Sequence, residues 1–227
     1  QFAYVASHDL KAPLRGIDSL AMWISEDAAD RLPVASREHL VKLRARVGRM
    51  ERLLEDLLTY SRVGRRDGQA ETVETAALVR DIVDLLAVPA GFTVTIAPNM
   101  PVLHTLRAPL ELVFRNLIGN AVKHHNQPTS GCIWVEARER GEFVEFRVRD
   151  NGPGIEAQHH ERIFNMFQTL RPRDEVEGSG MGLALVKKTV EHQGGRVRVE
   201  SAVGEGAAFY FLWPGTVDDR KGISPVE

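Results

Sequence analysis

Two long stretches open the chain with apolar residues recurring every three to four positions. Phe2, Leu10, Leu14, Ile17, Leu20 and Ile24 fall within about a third of the circumference of a helix turning about 100° per residue. That pattern predicts an amphipathic helix over residues 1–27. Leu40, Leu43, Val47, Met50, Leu54, Leu57 and Leu58 form an a/d-like series and predict a second helix over 35–63. Asp30 and Pro33 lie between the two, and Ser36 ahead of Arg-Glu reads as the start of the second helix. Helices of this length joined by a short loop make an antiparallel hairpin, which alone encloses no core. Two copies pairing as a four-helix bundle solve that problem, so the pattern predicts a homodimer through residues 1–63.

Glycines and charges from Gly64 to Ala70 interrupt the period and read as a linker. Beyond it, strands are expected at 92–97, 132–139, 143–150, 196–201 and 207–213, and helices at 75–87, 108–125, 157–163 and 181–193. Alternation such as Val144, Phe146, Val148 or Val197, Val199 puts one face of a sheet under helices. The fold class expected is α+β: a helical hairpin over 1–66, an α/β sandwich over 71–215, and a polar tail over 216–227.

The 227 residues carry 29 Lys and Arg against 31 Asp and Glu, a formal charge of −2, with 43% apolar and 26% charged residues. This is globular composition, and the balance gives no electrostatic reason to expect nucleic acid as a ligand. No apolar run approaches the length of a membrane span, and no signal peptide opens the chain. The lone Cys132 excludes an internal disulfide and a cysteine zinc site, and fits a cytoplasmic location. The chain opens on Gln1 already in helical pattern, so an upstream part is expected.

Candidate chemistry begins at Ser7-His8-Asp9-Leu10-Lys11-Ala12-Pro13-Leu14. His8 lies about half a turn from the apolar stripe, with Lys11 and Arg15 on its side of the helix. An exposed imidazole, a neighbouring carboxylate to take its proton and two cations suit attack on a phosphoryl group. A plain surface His-Asp pair is the ordinary alternative. Pro13 is expected to kink or loosen the helix. The other histidines show no metal-ligand spacing.

Two glycine clusters follow, Asp150-Asn151-Gly152-Pro153-Gly154-Ile155 after a strand and Gly178-Ser179-Gly180-Met181-Gly182-Leu183 opening a helix. A glycine turn feeding a helix N-terminus suits an anion, although tight turns alone also explain both clusters. Neither has Walker or dinucleotide-fingerprint spacing. Asn116 and Asn120, spaced i, i+4 in an apolar helix, need partners. Amide oxygens suit a hard cation on phosphates; bonding to a neighbouring loop is the alternative.

Together these segments resemble the sensor histidine kinases of two-component systems over essentially residues 1–213. The His8 segment resembles their phosphoacceptor motif. Asn116 to His124 resembles the asparagine box, Asp150 to Ile155 the first glycine box, Phe164 to Phe167 the phenylalanine box, and Gly178 to Leu183 the second glycine box. The resemblance implies an ATP-binding domain of the gyrase and heat-shock-chaperone class in which Asp150 accepts the adenine amine and Gly152, Gly154 and Ile155 shape the base pocket. It implies that Asn120, helped by Asn116, ligates Mg²⁺, and that Lys123 contacts phosphate while His124 flanks the nucleotide. Residues 165–180 become a mobile lid in which Phe167, Arg171, Arg173, Gly178 and Gly180 serve the nucleotide, with Met181, Gly182 and Leu183 opening the helix beyond.

The resemblance further implies autophosphorylation of His8, with Asp9 as its partner, and transfer to an aspartate of a response regulator receiver domain, under an upstream sensor. Ala12 departs from the Thr or Asn of strongly phosphatase-active members and makes that activity doubtful. Asn116 stands where related ATPases carry a water-activating Glu, which argues against hydrolysis as the output. An ATP-binding pseudokinase scaffold is the alternative function. Arg37, Lys42, Arg44, Arg46, Arg49 and Arg52 on the second helix form either a solvated face or a docking surface for an acidic regulator.

Overall fold

The computed structural model of the chain describes residues 2–28, 31–64, 68–127, 129–170 and 179–215, and for residues 2–9 it describes the backbone. Two long helices come first, α1 (Phe2–Asp27) and α2 (Val34–Arg62), packed as an antiparallel hairpin. α1 runs unbroken through Pro13. Ser36 does not start α2: Pro33 does, with ψ of 150° and its carbonyl accepting the N–H groups of Ser36 (3.0 Å) and Arg37 (3.2 Å). Proline has no N–H to leave orphaned, so the helix begins directly after it and Ser36 sits inside the first turn.

Arg44 binds Asp18 at 2.9 Å and Lys11 binds Glu55 at 3.0 Å between the two helices. Leu14, Ala21 and Val47 are buried, but Leu10, Ile17, Leu20, Trp23 and Ile24 on α1 and Leu43 and Met50 on α2 remain exposed in the single chain. The apolar stripe is therefore wider than one hairpin can cover.

The second unit contains β1 (Glu71–Glu74), α3 (Thr75–Leu85), β2 (Thr93–Ile96), β3 (Val102–Thr105), α4 (Arg107–Lys123), β4 (Cys132–Arg140), β5 (Phe143–Asp150), α5 (Gly182–His192), β6 (Val197–Ser201) and β7 (Ala207–Pro214). β1 and β3 pair antiparallel as a small separate ribbon. The main sheet has the order β2-β4-β5-β7-β6, with β2 parallel to β4 and the other pairs antiparallel. The expected helix at 157–163 is instead two 3₁₀ turns, Ala157–His159 and Arg162–Phe164. His160 Nε2 lies 3.1 Å from the Ile155 carbonyl, which folds the segment back before an α-helix can propagate.

Alternation on β5 behaves as its pattern requires. Val144, Phe146 and Val148 face α4 with Phe211 and Trp213 of β7, and Phe114 of α4 meets Phe146 and Phe211 edge-on at 5.2 and 5.3 Å. Trp213, fully buried, donates its Nε1–H to Thr105 Oγ1 at 2.9 Å, so its one polar atom is satisfied. The outer face is polar and self-paired. Arg147 reaches Glu136 at 3.0 Å, Arg198 lies 3.6 Å from the centre of the Tyr210 ring, and Tyr210 donates to Glu200 at 2.8 Å. A two-layer sandwich thus presents one wet sheet face without a third layer.

Candidate functional site

A cavity of about 590 Å³ opens between α4, the loop after β5, the start of α5 and one side of α2. Asn116, Asn120, Lys123, His124, Asp150, Gly154, Ile155, Gly180, Gly182 and Leu183 all line it. Residues up to 67 positions apart in sequence thereby share one wall.

The apolar lining includes Ile155, Ile163, Val203 and Phe209, and Asp150 lines the same cavity. Oδ1 of Asp150 accepts the N–H groups of Gly152 (2.8 Å) and Ala207 (3.3 Å), which aims the carboxyl and leaves Oδ2 for a donor in the cavity. Burial pushes this carboxyl above the usual carboxylate range, and the two backbone N–H groups partly oppose that shift. Gly154 has φ of +73°, and a Cβ there would lie 1.9 Å from the Ala202 carbonyl, so only glycine fits. Ser201 Oγ accepts the Ile155 N–H at 2.8 Å and donates to the Gly206 carbonyl at 2.6 Å, pinning the same loop.

At the polar end, Asn116 donates Nδ2–H to the Leu112 carbonyl one turn back at 2.8 Å, which turns Oδ1 towards the start of α5. A Cβ on Gly182 would stand 2.8 Å from that oxygen. Asn120 lies one turn along, and Lys123 and His124 follow at the exposed rim. The N-terminus of α5 brings Gly182 and Leu183 into the same wall, and the first N–H groups of a helix suit an anion.

Several expected residues stand elsewhere. Gly152 backs Asp150 and faces His125, Met181 is fully buried under α5, and Phe167 is exposed at φ of +64°; none of the three lines the cavity. Arg171, Arg173 and Gly178, the side chains of His8 and Asp9, linker residues 65–67 and the tail 216–227 lie outside the described residues. The expected lid is described at its two ends, where Gln168, Thr169, Leu170 and Ser179 border the cavity.

Three contributors escaped the sequence reading. Ser201 is one. His125 is another: its Nδ1 accepts the Gln127 N–H at 3.0 Å and its Nε2–H donates to Asn151 Oδ1 at 2.9 Å, joining the end of α4 to the loop carrying Asp150. The third is α2, which supplies Arg52, Glu55 and Asp56 to the cavity wall. Lys188 of α5 donates to the Tyr60 carbonyl at 2.6 Å with its ammonium 4.0 Å from the ring centre, holding the sandwich against α2. Among the described residues no group of three or more His, Cys, Asp or Glu could hold a metal, and no helix is long and apolar enough to cross a membrane.

Comparison with known proteins gives two family matches. Residues 1–66 match the His Kinase A (phospho-acceptor) domain, and residues 105–217 match the histidine kinase-, DNA gyrase B-, and HSP90-like ATPase domain. Cyanobacterial phytochrome B of a Nostoc species is 37% identical over 92% of this chain and 28% of its own length. The alginate biosynthesis sensor protein KinB of Pseudomonas aeruginosa is 32% identical over 94% of this chain and 36% of its own length. The chain thus spans about a quarter to a third of such relatives. Full-length ShkA, solved in complex with AMPPNP, matches with a TM-score of 0.70 and 27% identity over 93% of this chain and 45% of its own.

Proposed function

The chain belongs to the sensor histidine kinases of two-component systems, and from this premise we propose that it binds ATP with Mg²⁺ in the cavity and phosphorylates its own kind on His8. The observation that carries the reading is one cavity with Asp150 fixed at an apolar end and Asn116 and Asn120 at a polar end beside a helix N-terminus. A flat base with an exocyclic amine suits the first, and a phosphate chain suits the second.

Asp150 Oδ2 accepts the adenine amine. The amide oxygen of Asn120, helped by Asn116, would hold Mg²⁺, which would supply charge neutralisation on the phosphates. Lys123 and the α5 N–H groups receive phosphate oxygens, and His124 flanks the nucleotide. Arg171 or Arg173 neutralises the γ-phosphate. The imidazole nitrogen of His8 attacks the γ-phosphorus, the bond to the ADP oxygen breaks, and Asp9 takes the imidazole proton. The phosphoryl group then passes to an aspartate of a receiver domain.

Assembly follows from the exposed stripe of α1 and α2, which a second copy covers to complete a four-helix bundle. Ala12, exposed on α1, offers no hydrogen-bonding group to hold an attacking water, so dephosphorylation of the regulator is weak.

The test is incubation with γ-labelled ATP and Mg²⁺ beside a His8→Gln variant. Label stable to alkali and lost in acid, present on the wild type alone, is the expected result. Binding of ATP without any such label points to the scaffold instead.

A further inference from the structure

We infer that phosphoryl transfer runs within one chain, from the cavity of a subunit to its own His8 rather than its partner's; this rests on the kinase reading above. In a two-copy bundle each α2 has its own α1 on one flank and the partner's α1 on the other. The flank of α2 on which the cavity opens therefore selects the acceptor.

Glu55 decides the matter, because it has two contacts. It lines the cavity together with Arg52 and Asp56, and it holds Lys11 of its own α1 at 3.0 Å. Lys11 follows His8 by three residues, about 4.5 Å along the helix and about 60° around it. Arg44, eleven residues before Glu55 and about 20° from it on the helical wheel, grips Asp18 of the same α1 at 2.9 Å. Both residues mark the flank turned to the chain's own α1.

The apolar surface awaiting a second copy lies elsewhere on α2. Met50 (52% exposed) and Leu43 (40% exposed) sit about 140° and about 120° around the helix from Glu55. The γ-phosphorus–oxygen bond therefore breaks, ADP leaves with the bonding electrons, and the new nitrogen–phosphorus bond forms on the same polypeptide, Asp9 taking the proton.

Two differently tagged chains, co-expressed and purified through both tags, test this. One heterodimer pairs His8→Gln with a nucleotide-deficient Asn120→Asp/Asp150→Asn chain. The other pairs wild type with a chain bearing all three substitutions. With γ-labelled ATP, transfer within a chain leaves the first at the background of the nucleotide-deficient homodimer and gives the second about half the label of wild type. Label on the His8-bearing chain of the first pair, or loss of label from the second, overturns the inference. A wild-type homodimer without label refutes the kinase reading instead.

Discussion

Asn116 and Gly182 meet across the mouth of the cavity: the amide oxygen of the first lies 2.8 Å from where a Cβ on the second would stand. The bond from Asn116 Nδ2–H to the Leu112 carbonyl keeps that oxygen pointed there. Gly182→Ala should displace the amide without harming the fold, because alanine suits a helical position better than glycine by about 0.5–1 kcal/mol. Expected are an unchanged or slightly raised melting temperature and nucleotide affinity lower by about tenfold, the equivalent of one hydrogen bond. Unaltered affinity by calorimetry refutes the placing of phosphates at this end.

Asp150→Asn keeps the shape and reverses the polarity. The N–H groups of Gly152 and Ala207 hold the side-chain oxygen, so the amide NH₂ faces the cavity and opposes an incoming amine. Loss of a charge-assisted bond of about 1.5–3 kcal/mol corresponds to roughly 10- to 150-fold weaker ATP binding. Stability should move the other way. Burial raises the folded-state pKa of Asp150, so the folded chain keeps its proton to higher pH than the unfolded chain does. Raising the pH through that interval costs the folded state stability. Without nucleotide, the variant should match or exceed the wild type in melting temperature at neutral pH, with the advantage vanishing below the ordinary Asp range. A deficit that is the same at every pH contradicts this.

His125→Ala removes two hydrogen bonds and an edge contact with Phe92 at 5.1 Å. The cost should be about 2–4 kcal/mol, lowering the melting temperature by roughly 5–12 °C in a domain of this size. The loop carrying Asp150 loosens with it, so amide exchange at Asn151 and Gly152 should accelerate. Protection equal to wild type there shows that His125 is dispensable to the loop.

Ala12→Thr places a hydroxyl on the exposed face of α1 four residues after His8. Dephosphorylation of a phosphorylated receiver domain should rise several-fold while His8 labelling persists. A wild type already vigorous in this assay, or a variant no different from it, removes Ala12 as the cause.

Much of this was legible because local pattern and final environment agree. The alternation Val144, Phe146, Val148 survives as the inner face of β5, and Asn116 and Asn120, one turn apart, do share a wall of the cavity. β1 and β3 were missed because four-residue strands, the first with Val73 alone buried, are too short to display a period. Residues 157–163 failed for a different reason: a contact from His160 back to Ile155 outweighs a weak helical preference. Ser201 and Glu55 were beyond reach altogether. Ser201 meets Ile155 across 46 positions through the placing of β6 and β7 beside the loop after β5, and Glu55 reaches the cavity only because one domain rests on the other.

The three tryptophans occupy three optically separate settings. Trp213 is sealed in the core with its indole N–H bonded, Trp134 lies on the outer sheet face with Arg149 5.3 Å from its ring centre, and Trp23 stands 54% exposed on α1. Their emission should therefore divide into a blue component immune to iodide and a red one that iodide extinguishes first. Laying a second hairpin over α1 withdraws Trp23 from the quencher. One unlabelled sample then reads subunit association in its quenchable fraction and unfolding in its blue edge.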